Sequence, residues 1–237
     1  MENTVAFYSP SKTEQNAFLC KTYAWMGAAL LVSAAVAYFA ASSGLILRIL
    51  RASGGIGMLL LCVAEIAVVF YLSSSIRKIS SQSAKLLFFA YAALNGLTLS
   101  TIFYAFSIAS IGLCFVSASA MFFLMALYGA TTKSDLTTAG KYLSMALIGV
   151  LIASLLNGLL RLFGVGGGML DWLISVASVV IFTGLSAYDS QKILRASYRA
   201  DGSDTYSKIA VLGALELYLD FINIFLSLLR LFGRSRD

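Results

Sequence analysis

The sequence predicts an all-α, multi-pass membrane protein of seven transmembrane helices, in which the last helix is central and surrounded by the other six. Three observations predict this fold. The chain is 59% hydrophobic and only 12% charged, whereas soluble domains carry about 25% charged residues. Seven apolar segments are long enough to cross a bilayer core, which takes about 20 residues of helix. The seventh segment also carries a stripe of polar side chains, which lipid cannot satisfy.

The apolar segments follow one another with short connections, so we predict a single transmembrane domain over residues 23–233. A polar N-terminal segment at residues 1–22 precedes this domain, and a short basic tail at residues 234–237 follows it. The predicted spans are Tyr23–Ala41, Ile56–Ser73, Leu86–Phe106, Ile111–Ala130, Tyr142–Phe163, Trp172–Lys192 and Ile209–Phe232.

The placement of lysine and arginine predicts a cytoplasmic N-terminus. Cytoplasmic loops of membrane proteins carry an excess of these residues, and most of the 17 in this chain fall near span ends that this orientation places inside. One alternative stays open, because a last segment that re-entered the membrane would move Arg230, Arg234 and Arg236 inside. The string LLRLFG closes both the fifth and the seventh spans, which favours a full crossing.

The last span carries its polar stripe on an otherwise apolar helix. Four polar side chains recur at spacings of four, three and four residues, which places them on one helical face. They are Glu216, Asp220, Asn223 and Ser227. Because lipid offers such groups no hydrogen bonds, the face has to point at protein or at a watered cavity. The simplest packing surrounds this helix with the other six.

Asp189 in the sixth span and Asp220 in the last span place carboxylates at bilayer depth. Such a group costs roughly 2.5–3.5 kcal/mol on insertion scales, so it is a functional candidate by default. The alternative is that both aspartates only hydrogen-bond neighbouring helices, but neutral Asn or Ser would do the same without the ionisation cost. We therefore favour a functional role. Glu65, Glu216 and Asn223 are candidate pore-lining or polar interior residues, for which simple packing stays an alternative.

The chain contains no histidine, so a response near neutral pH has to come from other groups. When two carboxyl groups lie within hydrogen-bond reach, ionising both costs free energy because the like charges repel, so the pair would share one proton. A cation beside Asp189 and Asp220 would favour their ionised forms. Arg77 at the end of the second span is the candidate, because its long side chain can reach inward. Carboxylate oxygens also suit Ca²⁺, so the two aspartates are possible contacts for a transported Ca²⁺ ion, and we predict no cofactor.

An enzyme is the main alternative class, because two intramembrane aspartates also occur in aspartyl proteases of the presenilin type. Tyr188-Asp189 matches the Tyr-Asp of that family. Asp220, however, follows Leu-Tyr-Leu and not Gly-x-Gly, and the single proline precedes every span. A rhomboid-type serine protease needs a histidine that the chain lacks. We therefore predict no enzymatic activity, and the net charge of +6 indicates orientation in a lipid bilayer and not nucleic-acid binding.

Two C-terminal motifs resemble the Bax inhibitor-1 (transmembrane Bax inhibitor motif) family, in its bacterial branch. They are FTGLSAYDSQKI at Phe182–Ile193 and LELYLDFINIFLSLLRLFG at Leu215–Gly233. The string AEIAVVF around Glu65 and the N-terminal FLCKTYAWM are similar to the family more loosely. By span count and spacing, the resemblance extends over essentially the whole chain.

The resemblance implies six helices wrapped around the seventh and a pH-sensitive Ca²⁺ leak across the bacterial inner membrane. It also implies a di-aspartyl pH sensor, which carries over to Asp189 and Asp220. In the closed state an arginine from the end of the second helix pairs with the sensor, and this role carries over to Arg77. Some bacterial relatives instead restrain a membrane-anchored AAA protease, so an interaction protein without conduction is the second function that we consider.

Overall fold

A computed structural model describes residues 12–54, 56–164, 168–197 and 204–235 of the chain. Over these residues the chain forms nine α-helices. They are α1 (Lys12–Ser42), α2 (Leu45–Ala52), α3 (Ile56–Ser75), α4 (Ser81–Leu99), α5 (Ile102–Ala105), α6 (Ile108–Thr131), α7 (Thr137–Leu162), α8 (Met169–Ala196) and α9 (Asp204–Phe232). Seven stretches are long and apolar enough to cross a membrane, with α4 and α5 counted together and the short α2 left out.

All seven predicted spans are confirmed, and most of the observed helices begin or end a few residues beyond the predicted bounds. Helix α1 begins at Lys12 and so extends into the predicted polar N-terminal segment, while residues 1–11 and 236–237 lie outside the described residues. The third span is interrupted, because Ser100 and Thr101 separate α4 from α5. Their hydroxyl groups donate to the carbonyl oxygens of Leu97 and Thr98. Hydrogen bonds of this kind compete with the helical pattern, and they explain why the helix breaks here.

Helix α9 is the centre of the bundle, as predicted. Of its most apolar stretch 67% is buried, against at most 39% in any other span. It packs directly against α1, α4, α6 and α8, while α3 packs mainly on α4 and α7 mainly on α8. Aromatic rings fill the interface with α6, where Phe221 lies edge-on to Phe115 and Phe122. Helix α9 is therefore the most buried span and packs on four of the other helices.

Helices α6 and α8 approach each other closely at Gly129. A methyl group at this position would collide with the backbone carbonyl of Ala187. Small residues let transmembrane helices pack at short range, and van der Waals contact is a main source of their association. Gly129 thus fixes α6 against the part of α8 that carries Asp189.

The tail after α9 pairs with the beginning of α6. The backbone N–H of Ser107 donates to the carbonyl of Arg234 at 3.1 Å, and the N–H of Arg234 donates to Oγ of Ser110 at 3.1 Å. The connection before α6 lies at the opposite end of the bundle from the connection between α8 and α9. Helix α9 therefore crosses the bundle completely, and the re-entrant alternative for the last segment is wrong.

Candidate functional site

Asp189 on α8 and Asp220 on α9 lie where these two helices pack together. Both are buried, with 9% and 4% of the residue exposed. They line one cavity of about 430 Å³ between α7, α8 and α9, which we call the inner cavity. Glu216 and Asn223 line the same cavity from α9, while Ser227 is buried elsewhere on the helix. The predicted polar stripe thus faces a cavity and not lipid over most of its length.

Asp220 is the less exposed of the two aspartates. Its Oδ2 atom is buried without a hydrogen-bond partner among the described residues. No hydrogen bond joins its carboxyl group directly to that of Asp189 in this part of the chain, so the proton-sharing contact considered from the sequence is not formed. The two carboxyl groups instead line the same cavity, together with that of Glu216. Like charges confined in a medium of low polarity oppose one another's ionisation.

The cation of the inner cavity is Lys192. Its ammonium group donates to Oε1 of Glu216 at 2.7 Å and lies 3.8 Å from Oδ1 of Asp189. Lys192 and Asp189 are three residues apart on α8, a spacing that places two side chains on the same face of a helix. The lysine therefore connects the carboxyl groups of α8 and α9.

Lys192 and Glu216 also mark the boundary between two cavities. A second cavity of about 540 Å³, which we call the outer cavity, lies at the end of the bundle where α8 ends and α9 begins. Tyr188, Lys192 and Glu216 line both cavities, whereas the two aspartates line only the inner one. The Lys192–Glu216 ion pair therefore stands where the two cavities adjoin.

Arg77 does not take the predicted place beside the aspartates. It is exposed in the turn after α3 and lines the outer cavity. In the described part of the chain it forms no ion pair with Asp189 or Asp220, and Lys192 occupies the position beside Asp189. The reason is that α3 packs mainly on α4, at the outside of the bundle, while Lys192 is one helical turn from Asp189.

The electrostatic balance of the inner cavity is uneven, because three carboxyl groups face a single ammonium group. Such an excess attracts either protons or a cation. Carboxylate oxygens suit Ca²⁺, and Asp189 and Asp220 are the contacts predicted for it. Over the described residues, no three Asp, Glu, Cys or His side chains are grouped to hold a metal ion.

The neighbours of Asp189 on α8 are fixed by other helices. The ring of Tyr188 fills the space over Gly140 on α7, where a methyl group would collide with it. On the other side, the hydroxyl of Tyr23 on α1 donates to Oγ of Ser190 at 2.9 Å. Asp189 therefore lies between two residues whose side chains contact α7 and α1.

The connection between α6 and α7 is bound to the last turns of α8. Nε2 of Gln191 donates to the carbonyl of Ser134 at 2.8 Å, and Oε1 of Gln191 accepts from the backbone N–H of Leu136 at 2.9 Å. This two-way contact holds the connection over the end of α8. In the sequence, Gln191 could have been noticed as a polar residue two positions after Asp189, but the sequence does not indicate that it binds the connection between α6 and α7.

Arg195 adds an ion pair to the same connection. One guanidinium nitrogen donates to Oδ1 of Asp135 at 2.8 Å and another to Oγ1 of Thr137 at 2.9 Å. Hydrogen bonds from the hydroxyl and the backbone N–H of Thr137, with Arg195 beside them, hold the pKa of Asp135 below its usual value. The carboxylate of Asp135 is thus ionised at any pH near neutral.

Glu65 lies in a separate polar cluster and does not line the inner cavity. Its carboxylate accepts from Nδ2 of Asn95 at 3.3 Å and from the hydroxyl of Thr98. Oδ1 of Asn95 accepts from the hydroxyl of Tyr218 at 2.9 Å, and that hydroxyl lies 2.6 Å from Oγ of Ser33. Tyr218 and Asp220 are two residues apart on α9 and point in nearly opposite directions. The Glu65 cluster therefore lies across α9 from the aspartates.

Comparison of the sequence with known proteins identifies a family and several relatives. A profile of the family described as "Inhibitor of apoptosis-promoting Bax1" matches residues 15–237. The chain is 43% identical over 221 residues to the "Inner membrane protein YbhL" of Escherichia coli (strain K12), with 92% of each chain covered. It is 41% identical over 224 residues to a protein of Borreliella burgdorferi, with 94% of each covered. A membrane protein of Streptococcus pyogenes serotype M1 is 40% identical over 241 residues, with 98% of this chain and 99% of the relative covered.

Proposed function

The chain belongs to the Bax inhibitor-1 family, and from this premise we propose that it is a pH-sensitive calcium leak channel of the bacterial inner membrane, gated by Asp189 and Asp220. One observation carries the proposal. Both aspartates line a cavity whose boundary with the outer cavity is formed by the Lys192–Glu216 ion pair. In this proposal the protein moves an ion and catalyses no reaction.

The closed state is the arrangement described above. With the carboxyl groups ionised, Lys192 is attracted by Glu216 and by Asp189 at once. These contacts hold its side chain across the boundary between the two cavities. A positive charge at that position also repels Ca²⁺.

Protonation weakens this arrangement. As Asp189 and Asp220 bind protons, the negative charge that holds Lys192 inward falls, and the lysine can leave the boundary for the outer cavity. Protons shift the equilibrium only if they bind the open state more tightly than the closed state. Loss of the lysine from Asp189 in the open state supplies that difference, because a carboxyl group without its cation binds a proton more readily. The channel therefore opens as pH falls.

Orientation decides which compartment this gate senses. We place the N-terminus and the outer cavity on the cytoplasmic side, because Arg77, Lys192 and Arg195 all line the outer cavity and cytoplasmic ends of spans are rich in such residues. Ca²⁺ would then enter the cytoplasm down its gradient when the cytoplasmic side becomes acidic.

Calcium entry into liposomes tests the proposal. The purified protein is reconstituted, and entry is followed with a trapped Ca²⁺ indicator from about pH 8 to about pH 6. Each proton that drives opening changes the open fraction by at most about tenfold per pH unit. We expect wild-type flux to rise on acidification and the flux of Asp189→Asn and Asp220→Asn to lose most of its pH dependence.

Asp135→Asn is the matched control, because Asp135 is an exposed carboxylate outside the spans. It should keep the wild-type pH response. Unchanged pH dependence in both intramembrane variants would reject the aspartates as the sensor. A wild-type protein that passes no Ca²⁺ but co-purifies with a membrane-anchored AAA protease would instead support the second function, restraint of that protease.

A further inference from the structure

At the end of the bundle opposite the outer cavity, α7, α8 and α9 enclose another open cavity, of about 450 Å³. Its lining includes Arg161 at the end of α7, Gly168 and Ser175 on or beside α8, and Arg230 near the end of α9. Asp171 contributes the one carboxylate among its lining residues. The proposed calcium path does not use these residues, so their arrangement needs its own explanation.

The charges of this cavity leave one arginine without a partner. Arg161 forms an ion pair with Asp171, and the other oxygen of that carboxylate accepts from Nδ2 of Asn157 at 2.6 Å. Arg230 forms no ion pair with any described residue, and only its Nε contacts a carbonyl, that of Leu226 at 3.4 Å. Among the described residues, the two terminal nitrogens of its guanidinium group thus have no partner beside a neutralised Arg161–Asp171 pair.

Ser175 supplies an unused hydrogen-bond donor in the same place. The residue is 1% exposed, and its Oγ has no hydrogen-bond partner among the described residues. Other buried serines of α8 satisfy their hydroxyl groups within the helix, as Ser178 does by donating to Ile174 at 2.7 Å. A buried hydroxyl without a hydrogen-bond partner destabilises the fold, and a bound acceptor would remove that cost.

The beginning of α8 adds positive potential. The residue before α8, Gly168, has a positive φ of 59° and makes no side-chain cap hydrogen bond, and the only acidic residue in the first turn, Asp171, is already paired with Arg161. Such groups and the helix dipole favour an anion at a helix N-terminus. The dipole, the free guanidinium of Arg230 and the hydroxyl of Ser175 all favour the same kind of ligand.

We propose that this cavity binds a phosphate group, held by the guanidinium fork of Arg230, the hydroxyl of Ser175 and the first turn of α8. A planar guanidinium group pairs with two phosphate oxygens at once. The cavity opens at a bundle end where lipid headgroups lie, so the phosphate can belong to a phospholipid headgroup or be free inorganic phosphate. Both sources present the same tetrahedral oxyanion.

Thermal unfolding of the full-length protein in detergent separates the two sources. One arm adds inorganic phosphate, with chloride at equal ionic strength as the reference, and the other adds phosphatidylglycerol. We expect one of these additions to raise the unfolding temperature of wild type, and Arg230→Gln and Ser175→Ala to lose most of that rise. Arg51→Gln is the control, because Arg51 is an exposed arginine on α2 at the same end of the bundle.

A rise with phosphate alone identifies the free anion as the ligand, and a rise with phosphatidylglycerol alone identifies the lipid headgroup. Arg230→Lys should recover only part of the effect, because it keeps the charge and loses the fork. If neither addition stabilises wild type, or if Arg51→Gln loses the effect as fully as Arg230→Gln, the phosphate site is wrong. None of these results depends on Ca²⁺ flux, so the phosphate site and the proposed channel are tested independently.

Discussion

The ammonium group of Lys192 lies 2.7 Å from Oε1 of Glu216 and joins α8 to α9 where the inner and outer cavities meet. The side chains of these two residues are partly exposed, at 46% and 29%. Exposed ion pairs contribute only about 0–1 kcal/mol to stability. The contact therefore contributes little to folding, and in the proposed channel it is the gate.

The first prediction concerns the charge of Lys192. We expect Lys192→Met to conduct Ca²⁺ near pH 8 almost as well as wild type does near pH 6, because no ammonium group holds the boundary closed. Its unfolding temperature should change little. Lys192→Arg keeps the positive charge and should stay closed near pH 8. A Lys192→Met protein that remains closed there would show that the lysine is not the gate.

The second prediction separates the gate from the sensor. Glu216→Gln removes the closest partner of Lys192 but leaves Asp189, 3.8 Å from the ammonium group, and Asp220. We expect a higher leak near pH 8 together with a pH response that persists, because the aspartates still bind protons. Glu65→Gln alters a carboxyl group outside the inner cavity and should leave flux unchanged. A pH response abolished by Glu216→Gln alone would place the sensor on Glu216.

The third prediction concerns the contact between α6 and α8. Gly129→Ala should lower the unfolding temperature markedly, because the added methyl group meets the carbonyl of Ala187 and the two helices have to separate. Gly112→Ala on the same helix is the matched control, since nothing lies within 4 Å of its added methyl group. Thermal unfolding in detergent compares them. Equal stability of the two variants would contradict the close approach.

The fourth prediction concerns the polar cluster around Glu65. Tyr218→Phe removes the hydroxyl that donates to Asn95, leaving a buried acceptor unsatisfied at a cost of about 1 kcal/mol. We expect lower stability and an unchanged pH dependence of flux. Tyr128→Phe changes an exposed tyrosine on α6 and should alter neither property. A shifted pH dependence in Tyr218→Phe would instead couple the Glu65 cluster to the aspartates.

Much of the fold follows from local chemistry in the sequence. Apolar length identifies the seven spans, and the spacing of Glu216, Asp220 and Asn223 predicts that α9 turns one face inward. The aspartates could be singled out because a carboxylate at bilayer depth costs free energy that a neutral side chain would avoid. Each of these inferences uses only the residues of a single helix and does not depend on how the helices pack.

The partners of these residues could not be predicted in the same way. Arg77 lies at the end of the expected helix, but which cation reaches Asp189 depends on how α3 packs relative to α8, and the sequence does not specify that. Lys192 closes the predicted sixth span and was not singled out by the sequence, although it stands three residues from Asp189. The contact between Gln191 and Ser134 joins segments distant in the chain, and only the packed bundle brings them together.

The central claim is that protons on Asp189 and Asp220 open the path, and infrared spectroscopy of the reconstituted protein tests it most directly. The carbonyl stretch of a protonated carboxylic acid is followed as pH is lowered, alongside Ca²⁺ flux in the same preparation. Asp135→Asn is again the control, because its lowered pKa keeps Asp135 ionised until pH falls far below this range. We predict a carboxylic acid signal that grows in step with flux in wild type and in Asp135→Asn, and that shrinks in Asp189→Asn and Asp220→Asn. Flux that rises on acidification while this signal stays constant, or a signal that persists in full in both intramembrane variants, would contradict the claim.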